Sequence, residues 1–353
     1  YGLMIPIGTE MTQMEHRFVP TRFKDGYGPV GMWFQYFGAK ITNSKGEDYT
    51  VTREAELHKY KPYGLVVPTP TPLRNHQMFL DIKDGLGPMY MGTDKAMQKI
   101  AGGDPKKMRK VKEEAWEDFL DMTISQALTW ASQDIRPELT PSEVVLAEPY
   151  IMGSHSGESG AWVSGPEDLA PPDYFWGYNK MTTIKGLFAA GDGVGAAPHK
   201  FSSGSFTEGR LAAKAAVNFL NDNPEDSTLN DGQVASLRDK IWAPLERFEK
   251  HKGASTAEEV NPHYLTPYQA LVRLQKIMDE YAGGTSAWYT TNKPTLERGI
   301  QLIELLREDL NKLAARDRHE LMRCWEVIHR TWVGESHMRH LLHREETRWP
   351  GYY

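Results

Sequence analysis

The sequence predicts an α+β fold in which strands and loops come first and helices dominate the second half. Prolines and glycines interrupt every periodic pattern in residues 1–80, whereas helical periodicity continues from about residue 236 to 342. Between these regions, an amphipathic helix is predicted over about 105–133, and a short apolar run at 186–192 is typical of a buried strand. A chain of 353 residues exceeds one hydrophobic core, so two or three domains are expected.

The remaining elements follow from local signals, taken in chain order. Four prolines between residues 62 and 72 argue against a helix there, because proline lacks an amide donor and crowds the preceding turn. A helix over about 205–220 is predicted to begin with a capping box formed by Ser205 and Glu208. Residues 221–235 have the composition of a linker. The helical region beyond it contains an apolar stripe, made of Ile300, Ile303, Leu306, Leu310 and Leu313.

Composition excludes several classes of function. Charged residues make up 25% of the chain, and no apolar run approaches the ~20 residues of a membrane span, so a soluble cytoplasmic protein is expected. A net charge of −6 argues against a dedicated nucleic-acid binder. The single cysteine, Cys324, is expected to be a buried apolar residue, and alone it cannot hold an iron-sulfur cluster. No histidine or carboxylate spacing indicates a metal site.

The most informative stretch is the run from 186 to 195. A buried strand that ends at Gly191-Asp192 places a short acceptor beside a point where glycines admit a ligand closely. A helix starting near Ser205 would aim unpaired amides and its positive dipole end at an electron-rich ring, such as a reduced flavin. An ordinary strand-turn-helix explains the same spacing equally well.

This stretch resembles the second flavin-contacting segment of the fumarate reductase and succinate dehydrogenase flavoprotein superfamily. The resemblance rests on residues 186–192, 202–205 and 208–210. Further segments make the chain similar to one branch, the α-subunit family of dissimilatory adenylylsulfate reductase; these are 22–31, 149–157 with its loop Gly153-Ser154-His155-Ser156-Gly157, 314–317 and 324–326.

The resemblance implies a domain organisation. Residues 1–18 would be a remnant of the N-terminal flavin domain, 19–150 a capping domain, 151–235 the returning, C-terminal part of the FAD-binding domain, and 236–353 a helical domain. The family's N-terminal glycine-rich fingerprint does not occur near the start of this sequence. We therefore expect a fragment truncated at both ends, inactive by itself.

The resemblance also implies an activity. Family members interconvert adenosine 5′-phosphosulfate (APS) with AMP and sulfite through an adduct of sulfite at N5 of FAD, in sulfate reduction or sulfur oxidation. The electrons pass through iron-sulfur clusters on a β subunit, which agrees with a chain that has one cysteine. The implied partners are thus that subunit and the small-molecule substrates.

Individual residues match the family's site. Arg22 would grip a tetrahedral oxyanion, and His155 would hydrogen-bond sulfite oxygens or protonate the leaving group. Phe34 would stack on adenine, next to Gln35, where the family pattern has an aliphatic residue. The flavin would contact residues of the glycine turn and of the following helix, namely Gly191, Asp192, Ser203, Ser205 and Phe206, with Lys200 a weaker candidate.

Two other hypotheses remain open from the sequence. One is a dicarboxylate oxidoreductase of the fumarate reductase type, which would transfer hydride to or from a C4 acid. The other is a non-catalytic remnant of the flavin fold or a docking surface for the β subunit. Sulfite should bleach the flavin of an adenylylsulfate reductase, whereas failure to bind FAD would favour a remnant.

Overall fold

The structure is a computed structural model, and it forms two compact units. One unit consists of residues 1–17 with 150–353, and the other of residues 18–149. The residues that the structure describes are 1–19, 21–26, 30–57, 71–122, 124–147, 150–151, 158–165, 176–195, 201–225, 228–346 and 353.

Short strands and helices of very unequal length make up the chain. The strands are β1 Met11–Thr12, β2 Arg17–Phe18, β3 Thr21–Phe23, β4 Ile41–Thr42, β5 Met89–Met91, β6 Ser142–Leu146, β7 Tyr150–Ile151 and β8 Gly160–Ala161. The helices are α1 Val30–Gln35, α2 Tyr49–Thr52, α3 Glu54–Leu57, α4 Thr71–Lys83, α5 Thr93–Ala101, α6 Pro105–Met122, α7 Ile124–Ser132, α8 Phe201–Asp222, α9 Asp231–His251, α10 Pro267–Tyr281, α11 Lys293–Asp309 and α12 Arg318–Arg344. The predicted α+β class is confirmed.

The unit of residues 18–149 is built on an antiparallel sheet of four strands in the order β3-β6-β5-β4. One face of this sheet carries large apolar side chains that are almost fully buried, including Phe23, Met89 and Met91. Phe23 meets the ring of Trp130 from α7 edge-on, with 5.0 Å between ring centroids. The amphipathic helix predicted over 105–133 is present as α6 and α7.

One prediction about this unit is wrong. The prolines were expected to exclude a helix near residue 70, yet α4 begins at Thr71, and Pro72 is its second residue. Proline is tolerated there because the first amides of a helix have no acceptor within it, and the fixed φ of proline suits the first turn. The rest of the helix, to Lys83, contains no further proline.

The other unit contains the predicted helical region. Helices α9 to α12 pack around an apolar core in which Leu296, Ile303 and Leu306 are each 0% exposed. A short 3₁₀ turn, Leu310–Lys312, follows α11. None of the helices in the described part of the chain combines the length and the hydropathy needed to cross a bilayer.

Candidate functional site

The glycine turn that carries Asp192 is folded differently from the prediction. Residues 186–192 were expected to form a buried strand, but the only ladder contact here is a single bridge between Phe188 and Met181, and Gly191–Gly193 is a 3₁₀ turn. Of the apolar run, only Ala189 is fully buried. Gly191 has φ +61°, a conformation that favours glycine. A Cβ at Gly191 would lie 3.0 Å from Oγ of Ser205, so the turn packs directly on α8.

The chain just after the glycine turn also lies close to strand β8. The amide of Gly195 donates to the carbonyl of Ala161 at 3.0 Å, which adds residues 194–195 alongside strand β8. Strand β8 itself pairs with β1, Met11 opposite Ala161. A Cβ on Gly160 would lie 2.5 Å from the backbone nitrogen of Gly195 and the backbone carbon of Val194. Glycine is therefore required at 160 for the segments to meet.

The backbone and the side chain of Asp192 have different environments. The hydroxyl of Tyr1 lies 2.6 Å from the carbonyl oxygen of Asp192 and 2.8 Å from that of Ser159. Burial, followed by the charge of Asp192, raises the pKa of the Tyr1 hydroxyl to about 12, so it remains a donor at neutral pH. The carboxylate of Asp192 is exposed. It can therefore accept hydrogen bonds from the hydroxyls of a ligand.

Helix α8 begins earlier than predicted, and the capping box of Ser205 and Glu208 does not form. The helix starts at Phe201, so Ser205 is its fifth residue and its amide belongs to the intrahelical ladder. The first turn of the helix includes Ser203. Ser205 is exposed, and the Phe206 side chain is 81% exposed. Any contact of these two residues with a flavin must therefore use their side chains.

Glu208 has a structural role that the sequence did not indicate. It is 2% exposed and pairs with Nζ of Lys180, whose side chain is 12% exposed. The backbone of Lys180, at φ +68°, accepts from the amide of Ala189 at 3.1 Å and donates to the carbonyl of Ser164 at 2.9 Å. This buried ion pair fixes α8 against the chain that leads into the glycine turn. Only the contact in space reveals it, because the two residues are 28 positions apart.

Arg22 lies in the other unit, in the middle of strand β3, opposite Val145 of β6. Since neighbouring strand residues point to opposite faces, the buried ring of Phe23 places Arg22 on the face away from the core. The side chain of Arg22 is half-buried. Lys24 on the same face pairs with Glu143 at 2.9 Å. A regular strand thus holds a guanidinium at a defined position.

Asn75 of α4 anchors the strand of Arg22, and sequence reasoning missed it. Its side chain accepts from the hydroxyl of Thr21 at 3.0 Å and donates to the carbonyl of Val19 at 2.5 Å, and the residue is 4% exposed. The signal was a run of four polar residues, Arg74 to Gln77. A run of polar residues indicates a structural role only when it lies in a largely buried helix. The prolines had argued against a helix here.

The structure brings together some of the candidate residues and leaves others undescribed. Gly191 and Ser205 touch, and Ser203 and Phe206 share α8 with Ser205. His155 and Lys200 lie outside the described residues. The backbones of Phe34 and Gln35 belong to α1, but their side chains lie outside the described part as well.

Cys324 has no role in this site, and the described residues form no metal-ligating group. Cys324 is 0% exposed with Sγ 3.6 Å from the carbonyl oxygen of Ala314, and burial raises the pKa of its thiol to about 12. A protonated, buried thiol is inert, as the sequence predicted. Among the described residues, no three histidine, cysteine or acidic side chains come together as a metal-ligating group.

Comparison with known proteins defines the class of the fold. The chain superposes on E. coli quinol fumarate reductase with a TM-score of 0.65 at 16% identity, over 99% of this chain and 54% of the other. At this identity the likeness shows the fold alone, which is that of the fumarate reductase flavoproteins. No protein-family model matches the sequence.

Two solved structures are far more similar. Adenylylsulfate reductase from the hyperthermophilic Archaeoglobus fulgidus matches with a TM-score of 0.93 and 60% identity, over 99% of this chain and 55% of that chain. An adenosine-5-phosphosulfate reductase in complex with sulfite, as a covalent adduct, also matches with a TM-score of 0.93 and 60% identity, over 100% of this chain and 56% of that chain.

Sequence comparison agrees. The α subunit of adenylylsulfate reductase from Megalodesulfovibrio gigas is 47% identical over 363 residues, covering 100% of this chain and 54% of the relative. The chain is similar over its whole length to the α subunit of adenylylsulfate reductase, as the resemblance had indicated. It spans about half the length of these relatives. The dicarboxylate alternative is correspondingly less supported.

Proposed function

We propose that the protein to which this chain belongs interconverts APS with AMP and sulfite, as the flavoprotein subunit of a cytoplasmic enzyme with an iron-sulfur partner. The observation that carries the proposal is the 47% identity to an adenylylsulfate reductase α subunit across 100% of this chain. In the reductive direction, two electrons enter, the bond between sulfur and the phosphate oxygen breaks, and AMP and sulfite leave.

The residues around the glycine turn fit a flavin. The Gly191 turn packs closely on α8 with φ +61°, and the exposed carboxylate of Asp192 next to it suits ribityl or ribose hydroxyls. Ser203, in the first turn of α8 near the positive end of the helix dipole, would contact the polar edge of the ring system. When bound, FAD would supply a reversible store of two electrons. Ser205 and Phe206 would contact it through their side chains.

Arg22 would bind the anionic end of the substrate. A guanidinium matches tetrahedral oxyanions with two parallel hydrogen bonds, and strand β3 together with Asn75 fixes the backbone that presents it. His155 would supply a proton to the phosphate oxygen as AMP departs. Phe34 and Gln35 would contact the adenine. In this proposal the unit of residues 18–149 is the substrate-capping domain.

The experiment replaces Arg22 in the full-length enzyme with its partner subunit. Removing one preorganised charge from an oxyanion costs roughly 10²–10³ in kcat. We expect Arg22→Ala to lose about that much sulfite-dependent AMP turnover while the flavin absorbance stays unchanged. Lys24→Ala is the matched control, because it removes a cation from the same face that is already paired with Glu143.

Two outcomes would contradict the proposal. Equal turnover in Arg22→Ala and Lys24→Ala would remove Arg22 from the site. A wild-type enzyme whose flavin is not bleached by sulfite, yet is reoxidised by fumarate after chemical reduction, would instead be a dicarboxylate oxidoreductase.

A further inference from the structure

A cavity lies within the helical region, between α9, α10 and α12. It has a volume of about 460 Å³ and is bounded by the end of α9, the turn at 258–260, the start of α10 and the residues before α12. Its floor is a buried cluster of Phe248, Tyr264 and Ala314, which are 7%, 4% and 2% exposed. Cavities of roughly 300–1,000 Å³ with apolar linings are typical of ligand sites.

The wall of this cavity is preformed by side-chain hydrogen bonds. Gln269 closes the capping box of α10 by accepting from the amide of Thr266 at 3.0 Å, and it donates to the carbonyl of Glu259 at 2.7 Å. The hydroxyl of Tyr264 donates to the carbonyl of Glu258 at 3.0 Å. The turn that carries both glutamates is therefore tied to the floor and to α10, so little ordering entropy remains to be lost on binding.

The charge at this cavity is predominantly negative. Glu258, Glu259, Glu320 and Arg316 line it. Arg316 is committed to Glu320, with Nε 2.8 Å from the carboxylate and its backbone amide 2.9 Å from the other oxygen. The pKa of Arg316 is raised, first by Glu320 and further by the fields of Glu258 and Glu259. Since the described structure contains no ion pair for Glu258 or Glu259, the cavity has an excess of two negative charges.

The surface around the opening is apolar and exposed. Val260 is 70% exposed and Tyr268 is 73% exposed, and both line the cavity. An apolar floor beside unpaired carboxylates complements a cation with an apolar body. The exposed side chains at the opening extend the contact area beyond the cavity itself, which fits a polypeptide better than a small free cation.

We propose that this cavity binds a segment of a partner protein in which an arginine or lysine is flanked by apolar residues. The apolar side chain packs on Phe248 and Tyr264, the cationic group meets Glu258 and Glu259, and the neighbouring residues cover Val260 and Tyr268. This site is independent of the proposed catalytic function, so each can fail without the other.

The test measures binding of a fluorescein-labelled peptide, Leu-Arg-Phe-Lys-Leu with blocked ends, to the full chain by fluorescence anisotropy. We expect saturable binding that weakens with salt. A peptide with glutamates in place of the cations should not bind, and one with serines in place of the apolar residues should bind at least roughly tenfold more weakly. Absence of saturable binding, or equal binding of the glutamate peptide, would overturn the proposal.

Variants locate the site. The double change Glu258→Gln with Glu259→Gln should weaken binding roughly tenfold. The matched control is Asp239→Asn with Glu246→Gln, which removes the same charge from exposed positions of α9 that do not line the cavity. Tyr268→Ala should weaken the peptide but leave binding of argininamide unchanged. If argininamide binds as tightly as the peptide, or if both double variants behave alike, the assignment to a partner segment is wrong.

Discussion

The helical region from Asp231 to Arg344 and the segment from Glu158 to Gly195 are held by different interactions. The helices bury long aliphatic side chains, with Leu296 and Ile303 at 0% exposure. In the described residues of the other segment, 158–165 and 176–195, the buried apolar cluster consists of the small residues Ala161, Ala189 and Val194, and Met181 is buried nearby in sequence. The shape of this segment comes from backbone hydrogen bonds, a buried ion pair and glycines at close approaches. The segment that carries Gly191 and Asp192 thus depends less on aliphatic packing, in its described residues, than the helices do.

Two glycines, Gly334 and Gly160, illustrate the same difference. In the helices, a Cβ at Gly334 would meet the thioether of Met278 at 3.0 Å and the end of Ile303 at 3.2 Å, and these flexible groups can move. In the other segment, a Cβ at Gly160 would meet backbone atoms of Val194 and Gly195 at 2.5 Å. Backbone cannot yield without breaking the hydrogen bonds that define the turn.

The largest expected effect is therefore that of Gly160→Ala. Forcing the two backbones apart should lower the free energy of unfolding by about 3 kcal/mol, the upper range for overpacking. Gly334→Ala is the matched control, and it should stay within about 1 kcal/mol of wild type because alanine favours a helix. Urea denaturation of both variants measures the difference. Equal losses would show that the two regions tolerate added volume alike.

This difference also explains which features the sequence could predict. The stripe from Ile300 to Leu313 was predicted as helical, and its members are at most 7% exposed, although α11 ends at Asp309 and the last two members lie in and just after the 3₁₀ turn. The burial was predictable because apolar residues on the buried face of a helix recur with the helical period in the sequence. The prediction of a strand at 186–192 was wrong because an apolar run does not distinguish a strand paired in a sheet from an extended segment with a single bridge.

The candidate site was less predictable for a physical reason. The capping box at Ser205 and Glu208 matched a local motif, but Glu208 instead pairs with Lys180, and the helix begins a turn earlier. Tertiary contacts with distant residues decided both points. The contribution of Asn75 to the strand of Arg22 is of the same kind, because its partners are more than 50 residues away. The family resemblance identified Arg22, whereas local pattern alone did not.

The next effect concerns His337, where α12 meets the segment that follows β1. Its Nδ1 lies 2.8 Å from the carbonyl oxygen of Met14, to which it donates. Burial first, and then the charge of Arg17, lower the pKa of His337 from 6.5 to about 3; the hydrogen bond to Met14 opposes them, and His340 lowers the pKa further. Between these values the unfolded chain binds a proton that the folded chain does not. Stability is therefore fully present above pH 6.5 and falls as the pH drops toward 3.

By about pH 5 this residue should account for about 2 kcal/mol of lost stability relative to neutral pH. Urea denaturation at both pH values, in wild type and in His337→Gln, isolates the contribution of the imidazole. The variant should show a smaller loss on acidification. His343→Gln, at an exposed position of the same helix, serves as the control and should retain the full loss. A wild-type slope that His337→Gln leaves unchanged would assign the acid sensitivity to other groups.

The smallest effect is expected where the helical region depends on a single exposed contact. Asp317 caps α12, and its carboxylate accepts from the amide of Glu320 at 2.9 Å. Asp317→Ala should lower the free energy of unfolding by about 1 kcal/mol, and Asp317→Asn by less, because asparagine keeps the acceptor. Urea denaturation of the two variants measures this. The loss stays small because α12 is also held along its length by buried residues such as Cys324 and Val327. A loss from Asp317→Ala as large as that from Gly160→Ala would mean that the helices, too, depend on local backbone geometry rather than on packing.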